Sequence, residues 1–65
     1  MNLIEIYIQE VTRRIPEKNR GDIALELQST IEDMLPDDYN EDDMKAVLEQ
    51  LGNPVTLASR FRDQP

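Results

Sequence analysis

The sequence contains no cysteine and no histidine, and it has few aromatic residues and no long apolar run. Without cysteine there can be no disulfide bond, and without either residue the zinc sites built from thiolate and imidazole ligands are excluded. The same absences leave only carboxylates for acid–base or nucleophilic catalysis. No apolar stretch approaches the roughly 18 residues of a membrane span, and the N-terminus lacks the basic start of a signal peptide. The composition therefore predicts a soluble, non-catalytic segment without metal or cofactor.

The length and the net charge of the chain limit the stability and the partners that we expect for it. A chain of 65 residues makes one domain, of a size at which an unassisted core leaves only about 3–5 kcal/mol of net stability. Fourteen acidic residues against seven basic ones give a formal net charge of -7. Such a charge repels nucleic acid and anionic lipid over the domain as a whole. We therefore expect no nucleic-acid partner unless basic residues are concentrated locally.

Two helices are predicted in the first half of the chain. Asn2 and Glu5 can form a capping box at the start of the first helix, which is predicted from Leu3 to about Arg14. Pro16 ends that helix and can open a second one that continues to Leu35. The second helix has a broad apolar face, so we interpret it as the central helix of the fold. This face comprises Ile23, Ala24, Leu27, Ile31, Met34 and Leu35.

The first helix has one apolar face and two further apolar residues. The face is formed by Ile4, Tyr7, Ile8, Val11 and Ile15. Leu3 and Ile6 are predicted to project away from it. They are either simply exposed or part of a second contact surface for another subunit or domain.

Four of the seven basic residues lie where the first two helices meet, and we call this group the basic corner: Arg13, Arg14, Lys18 and Arg20. These side chains could bind phosphate groups or lipid headgroups. Alternatively, they could complement the negative end of the first helix and pair with nearby carboxylates. No aromatic residue lies among them, so a platform for stacking single-stranded nucleic acid is not supported.

Two shorter helices are predicted in the second half. Asn40 is a good N-cap for a third helix that begins at Glu41, and Asp43 can complete the cap. Gly52 fits the left-handed position after the end of this helix. Asn53 and Pro54 then suit the cap and the first residue of a fourth helix. The inward faces are predicted to comprise Met44, Val47, Leu48 and Leu51 on the third helix, and Val55, Leu57, Ala58 and Phe61 on the fourth.

The fold class predicted from these segments is all-α, a small bundle of three main helices with a short fourth helix at the C-terminal end. Residues 1–62 are expected to form the single domain. Residues 63–65 are expected to be a frayed tail that leads to a C-terminal region absent from this sequence.

Two familiar roles of small helical domains are not supported. The segment from Asp38 to Glu49 matches much of an EF-hand calcium loop, but its sixth position is Asp43 where the loop needs glycine. Apolar residues at helical spacing also predict a helix in the second half of that segment. A DNA-reading third helix is disfavoured because it carries one base, Lys45, among four acids.

Three short motifs lie in two segments of the sequence. Ile15-Pro16 and Arg20 to Leu27 belong to the first, YIQEVTRRIPEKNRGDIALELQSTIEDML, and Leu51 to Pro54 belong to the second, LEQLGNPVTLASRF. Together they resemble the HAAS signalling domain, a family similar to the prefix domain that precedes some bacterial permeases. Its pattern is a helix ending in Leu/Ile-Pro, an Arg-x-Asp-Ile-x-x-Glu-Leu helix and a Leu-Gly-Asp/Asn-Pro turn. This chain departs from it at Gly21, where a polar helix former is commoner, and at Asn53, where aspartate is commoner.

The resemblance implies a non-catalytic signalling or protein-interaction module on the cytoplasmic side of the membrane. In the family such a module usually precedes the transmembrane helices of a bacterial protein and is often encoded near PadR-like regulators. The expected partner is therefore a protein: the membrane portion of the same polypeptide, a regulator, or a second copy through weak self-association. The alternative is a free-standing small regulator that binds nucleic acid or lipid headgroups through the basic corner.

Overall fold

A computed structural model describes residues 2–62, which form four helices and no strand. Helix α1 spans Leu3–Thr12, α2 spans Glu17–Met34, α3 spans Glu41–Leu51 and α4 spans Pro54–Arg62. The predicted all-α bundle with a short fourth helix is therefore confirmed. The tail predicted at residues 63–65 lies outside the described residues.

The helix ends follow from local capping chemistry. The Asn2 side chain accepts a hydrogen bond from the Glu5 backbone N–H at 2.8 Å, which caps α1. Asn40 and Asp43 form a complete capping box at α3, because the side chain of each bonds the backbone N–H of the other. Pro16 precedes α2 as its N-cap rather than forming its first residue. The side-chain caps of α1 and α3 satisfy backbone groups that the first helical turn leaves without partners, whereas Pro16 makes no such bond.

Helix α1, rather than α2, is the central helix. It packs against each of the other three helices. The fully buried residues Val11 of α1 and Ile31 of α2 mark the middle of the core. The expectation that α2 is central is wrong: most of its residues are exposed, and only Leu27 and Ile31 among them are buried. The buried residues are Ile4, Tyr7, Val11, Ile15, Leu27, Ile31, Val47 and Ala58.

Two residues assigned to inward faces are substantially exposed. Met34, the last residue of α2, is 38% exposed, although Leu35 directly after it packs against the core. Val55 is 49% exposed because it lies roughly 100° around α4 from its predecessor Pro54, which takes the inward position. Leu57, Ala58 and Phe61 do contribute to the core. Helical spacing thus located the faces correctly but not their edges.

A hydrogen bond from Tyr7 connects α1 to the turn between α3 and α4. The Tyr7 hydroxyl donates to the Gly52 carbonyl oxygen at 2.8 Å, across 45 positions of sequence. Gly52 has the predicted positive φ, 90°, which glycine adopts readily, but its ψ of -168° is extended rather than left-handed helical. Asn53 then caps α4, since its side chain accepts from the Val55 backbone N–H at 2.8 Å.

The two glycines should respond to substitution with opposite signs. Gly52→Val should lower the free energy of unfolding by about 1–3 kcal/mol, because a β-branched residue at positive φ is strained. A side chain at Gly52 would meet no atom within 4 Å, so the loss would come from the backbone conformation itself. Gly21→Ala, in the open first part of α2, should instead raise the free energy of unfolding by about 0.5–1 kcal/mol. Urea denaturation of both variants checks this, and equal midpoints would contradict it.

The buried phenol of Tyr7 should make the domain sensitive to alkaline pH. Burial raises the pKa of the Tyr7 hydroxyl above its ordinary value of 10.0. The unfolded chain therefore ionises first, so the stability that Tyr7 contributes is complete below about pH 10 and is lost as the pH rises through the higher folded value. Tyr7→Phe should cost about 0.5–1.5 kcal/mol at neutral pH through the lost hydrogen bond, yet show a flatter alkaline decline.

Urea titrations at neutral pH and above pH 10 measure this difference. Tyr39→Phe is the matched control, because the Tyr39 side chain is 43% exposed and its hydroxyl has no hydrogen bond among residues 2–62. If the two variants decline in parallel with pH, Tyr7 does not carry the effect.

Candidate functional site

The apolar surface predicted on α1 is smaller than expected. Ile6 is 45% exposed, in agreement with its predicted position. Leu3 is only partly exposed, so the expectation that it projects fully away from the buried face is wrong. Leu3 lies one helical turn before the buried Tyr7, and residues four apart share a side of a helix. Ile6 is therefore the main unburied apolar residue of this helix.

The Arg20 side chain of the basic corner hydrogen-bonds backbone carbonyls at the end of α1. Its Nε donates to the Thr12 and Ile15 carbonyl oxygens, each at 2.9 Å, and its Nη2 donates to the Arg13 carbonyl oxygen at 3.4 Å. The last carbonyls of a helix have no partners within the helix and carry the negative end of its dipole. A side chain from α2 thus caps α1 and sets the corner between the two helices.

Arg13 and Arg14 share one acidic partner on α1. Arg14 Nη1 lies 2.8 Å from Glu10 Oε2, and Arg13 Nη1 lies 3.3 Å from Glu10 Oε1. The hydrogen bond from Arg14, with help from the nearby Arg13 charge, lowers the pKa of the Glu10 carboxyl. These are exposed pairs, which contribute little to stability. They nevertheless neutralise part of the positive charge of the corner.

Lys18 is the member of the basic corner with no hydrogen bond or ion pair among residues 2–62. It is exposed on the first turn of α2. The structure thus brings the four basic residues together at the α1–α2 connection but engages three of them within the chain. This arrangement agrees with the second of the two roles predicted for the basic corner, in which its charges complement a helix end and pair with a carboxylate.

The segment that partly matches a calcium loop is a capped helix in the structure. Asn40 and Asp43 are used by the capping box, and Val47 is buried in the core. Over the described part of the chain, no three acidic side chains are placed together to hold a metal ion. Among the same residues, no helix has the length and apolar character needed to cross a bilayer.

A cleft that the sequence did not predict lies between α1, α2 and the loop before α3. It encloses about 140 Å³, and we call it the acidic cleft because two carboxylates line it. Tyr39, which follows α2 by five residues, forms part of its wall. The one sequence feature that pointed to this cleft was an aromatic residue in an otherwise acidic loop. The spacing of residues along the sequence cannot show where a loop side chain packs. The lining residues are Asn2, Ile4, Glu5, Ile8, Gln28, Glu32 and Tyr39.

Removal of the Arg20 side chain should loosen the corner between α1 and α2. Arg20→Ala should lower the free energy of unfolding by about 1–2 kcal/mol, because it leaves the α1 carbonyls without their charged donor. The free energy of unfolding of Arg20→Lys should lie between those of the wild type and Arg20→Ala, since an ammonium group cannot reproduce the planar arrangement of guanidinium donors. Lys18→Ala, which removes the same charge from the same helix, is the control and should change little. Urea midpoints test this order, and equal losses for Arg20→Ala and Lys18→Ala would refute it.

Comparison with known proteins identifies the family. Searches of the curated proteins and of the solved structures each found no match. The family model for the HAAS domain matches residues 7–60, a range that takes in the Tyr7 hydroxyl bond, the Arg20 cap and the Gly52 turn. Since this range covers most of the 65 residues, the chain belongs to the HAAS family.

Proposed function

We propose that this HAAS domain is a non-catalytic protein-interaction module that works in signalling on the cytoplasmic side of a bacterial membrane, as the N-terminal domain of a larger membrane protein. The observation that carries the proposal is Ile6, an aliphatic side chain left 45% exposed on the helix that organises the core. The family assignment supports a small signalling or interaction domain. The membrane context comes from the family resemblance in the sequence.

Residue chemistry supports the non-catalytic part of the proposal. The sequence offers no histidine or cysteine, and no polar or charged residue is buried within residues 2–62. Catalytic acids and bases usually depend on burial or a close partner to shift their pKa values. Nucleic-acid or headgroup binding by the basic corner has less support, because Arg13, Arg14 and Arg20 are already engaged within the chain.

The small exposed surface and the net charge both disfavour a stable dimer. Full burial of an isoleucine contributes about 1.5–3 kcal/mol, so covering the exposed part of Ile6 contributes about 1 kcal/mol for each copy. Association costs at least about 4 kcal/mol in lost freedom, and the charge of -7 on each copy opposes pairing. We therefore propose that the domain is a monomer, or at most a weak dimer, and that its partner is the membrane portion of the same protein or a regulator.

Sedimentation equilibrium and a binding assay test this proposal together. The isolated domain should sediment as a monomer, and any dimer should tighten as salt rises because salt screens the repulsion. The membrane-embedded remainder of the polypeptide, purified in detergent, should bind the domain added separately. Ile6→Glu should weaken that binding at least tenfold, because it places a charge at the contact.

The matched control for this assay is Leu25→Glu. Leu25 is 69% exposed on α2 and receives the same substitution, yet it stands alone among polar neighbours, as single exposed apolar residues commonly do. If Ile6→Glu and Leu25→Glu behave alike, the α1 surface is not the contact. If the reading frame stops directly after residue 65, the membrane-protein context is wrong, whereas apolar runs of about 20 residues beyond it would support that context.

A further inference from the structure

We infer that the acidic cleft accepts one lysine or arginine side chain presented by a basic segment of a protein partner. The inference rests on the proposed function, because it names the chemistry of a partner that such an interaction domain would bind. Ile6 does not line the cleft, so the two surfaces can be tested separately.

The size of the cleft restricts its occupant to a single side chain. It encloses about 140 Å³, and a cavity of roughly 150 Å³ accepts a molecule of the size of benzene. Sites for cofactors and drug-sized ligands are commonly about 300–1,000 Å³. A nucleotide or a helix therefore does not fit inside, whereas one long side chain does.

The apolar wall of the cleft suits the stem of a long basic side chain. Ile4 and Ile8 of α1 contribute aliphatic surface, and the Tyr39 ring contributes an aromatic surface. Lysine and arginine pack their methylene groups along such surfaces while their charged ends stay near water. A cation can also rest against the face of a tyrosine ring.

The polar lining favours a positive charge at the end of that side chain. Glu5 and Glu32 both line the cleft, and the ion pairs formed within residues 2–62 use other acids, Glu10 and Glu41. The Glu32 carboxylate accepts only a long hydrogen bond, 3.4 Å from Gln28 Nε2. The net charge of -7 further disfavours an anionic occupant. Both carboxylates are thus available to a cation from outside.

A protein segment explains this cleft better than a free amine or a metal ion. Calcium takes six to eight oxygen ligands, and the described residues bring no three metal-binding side chains together. An exposed ion pair strengthens binding only about two- to fivefold, so one amine alone would be held very weakly. The cleft therefore contributes specificity within a larger contact.

A suitable probe is a peptide with blocked termini that contains lysine and leucine residues separated by glycine and serine. Its control is a second peptide in which glutamine replaces every lysine. Titration into the 15N-labelled domain should shift the amide signals of Glu5, Ile8, Glu32 and Tyr39 with the lysine peptide only. Glu32→Gln should weaken this binding about two- to fivefold. Glu26→Gln is the control, because it removes the same charge from the same helix at an exposed residue outside the cleft.

Several results would overturn the inference. Absence of binding, equal binding of the glutamine peptide, or equal weakening by Glu26→Gln and Glu32→Gln would each show that the cleft does not select a basic side chain. Failure of the proposed function looks different. In that case Ile6→Glu has no effect and the membrane portion does not bind, while the lysine peptide still shifts the cleft signals.

Discussion

Burial of one face of α1 is the constraint on which the other three helices depend. Val11 is completely removed from solvent near the C-terminal end of this helix, and α2, α3 and α4 all pack against α1. Isolated helices shorter than about 12–15 residues are marginal in water. With 11 and 9 residues, α3 and α4 therefore owe their structure largely to contact with the core. The same dependence explains how a chain of 65 residues without cysteine can form a domain.

Polar contacts at the middle and at the C-terminal end of α1 fix the geometry that apolar packing leaves adjustable. Arg20 binds the carbonyls at the C-terminal end of α1, and Tyr7 binds the Gly52 carbonyl in the turn before α4. Apolar contacts are weakly directional, whereas hydrogen bonds depend on distance and angle. The core thus holds the helices together, and these few bonds define the angles between them.

Much of the fold could be predicted from the sequence because its boundaries depend on local chemistry. The cap at Asn40, the positive φ of Gly52 and the start of α4 at Pro54 each follow from the properties of one or two residues. The identity of the central helix could not be predicted in this way. It depends on which helix the other three pack against, which is a property of the assembled bundle rather than of any segment.

For the candidate surfaces, too, some features could be predicted from the sequence and others could not. The position of Ile6 follows from helical spacing, and its exposure agrees with the prediction. The basic corner was recognised as a cluster, but the role of Arg20 depends on three carbonyls at and just after the end of α1, which sequence spacing does not bring together. The acidic cleft needs Tyr39 to lie against α1 and α2. Loop side chains have no periodicity, so only the structure reveals such a site.

The attachment of α4 also has a mechanical consequence. This helix has nine residues, and one tyrosine hydroxyl bonds the backbone immediately before it. A force applied beyond Arg62 would first act on α4, at the point where regular structure depends most on its neighbour. Detachment would expose Ala58 and the apolar side of α1 that it covers. Tension on the C-terminal side would therefore act on the contact between α4 and α1, and loss of that contact would uncover apolar surface.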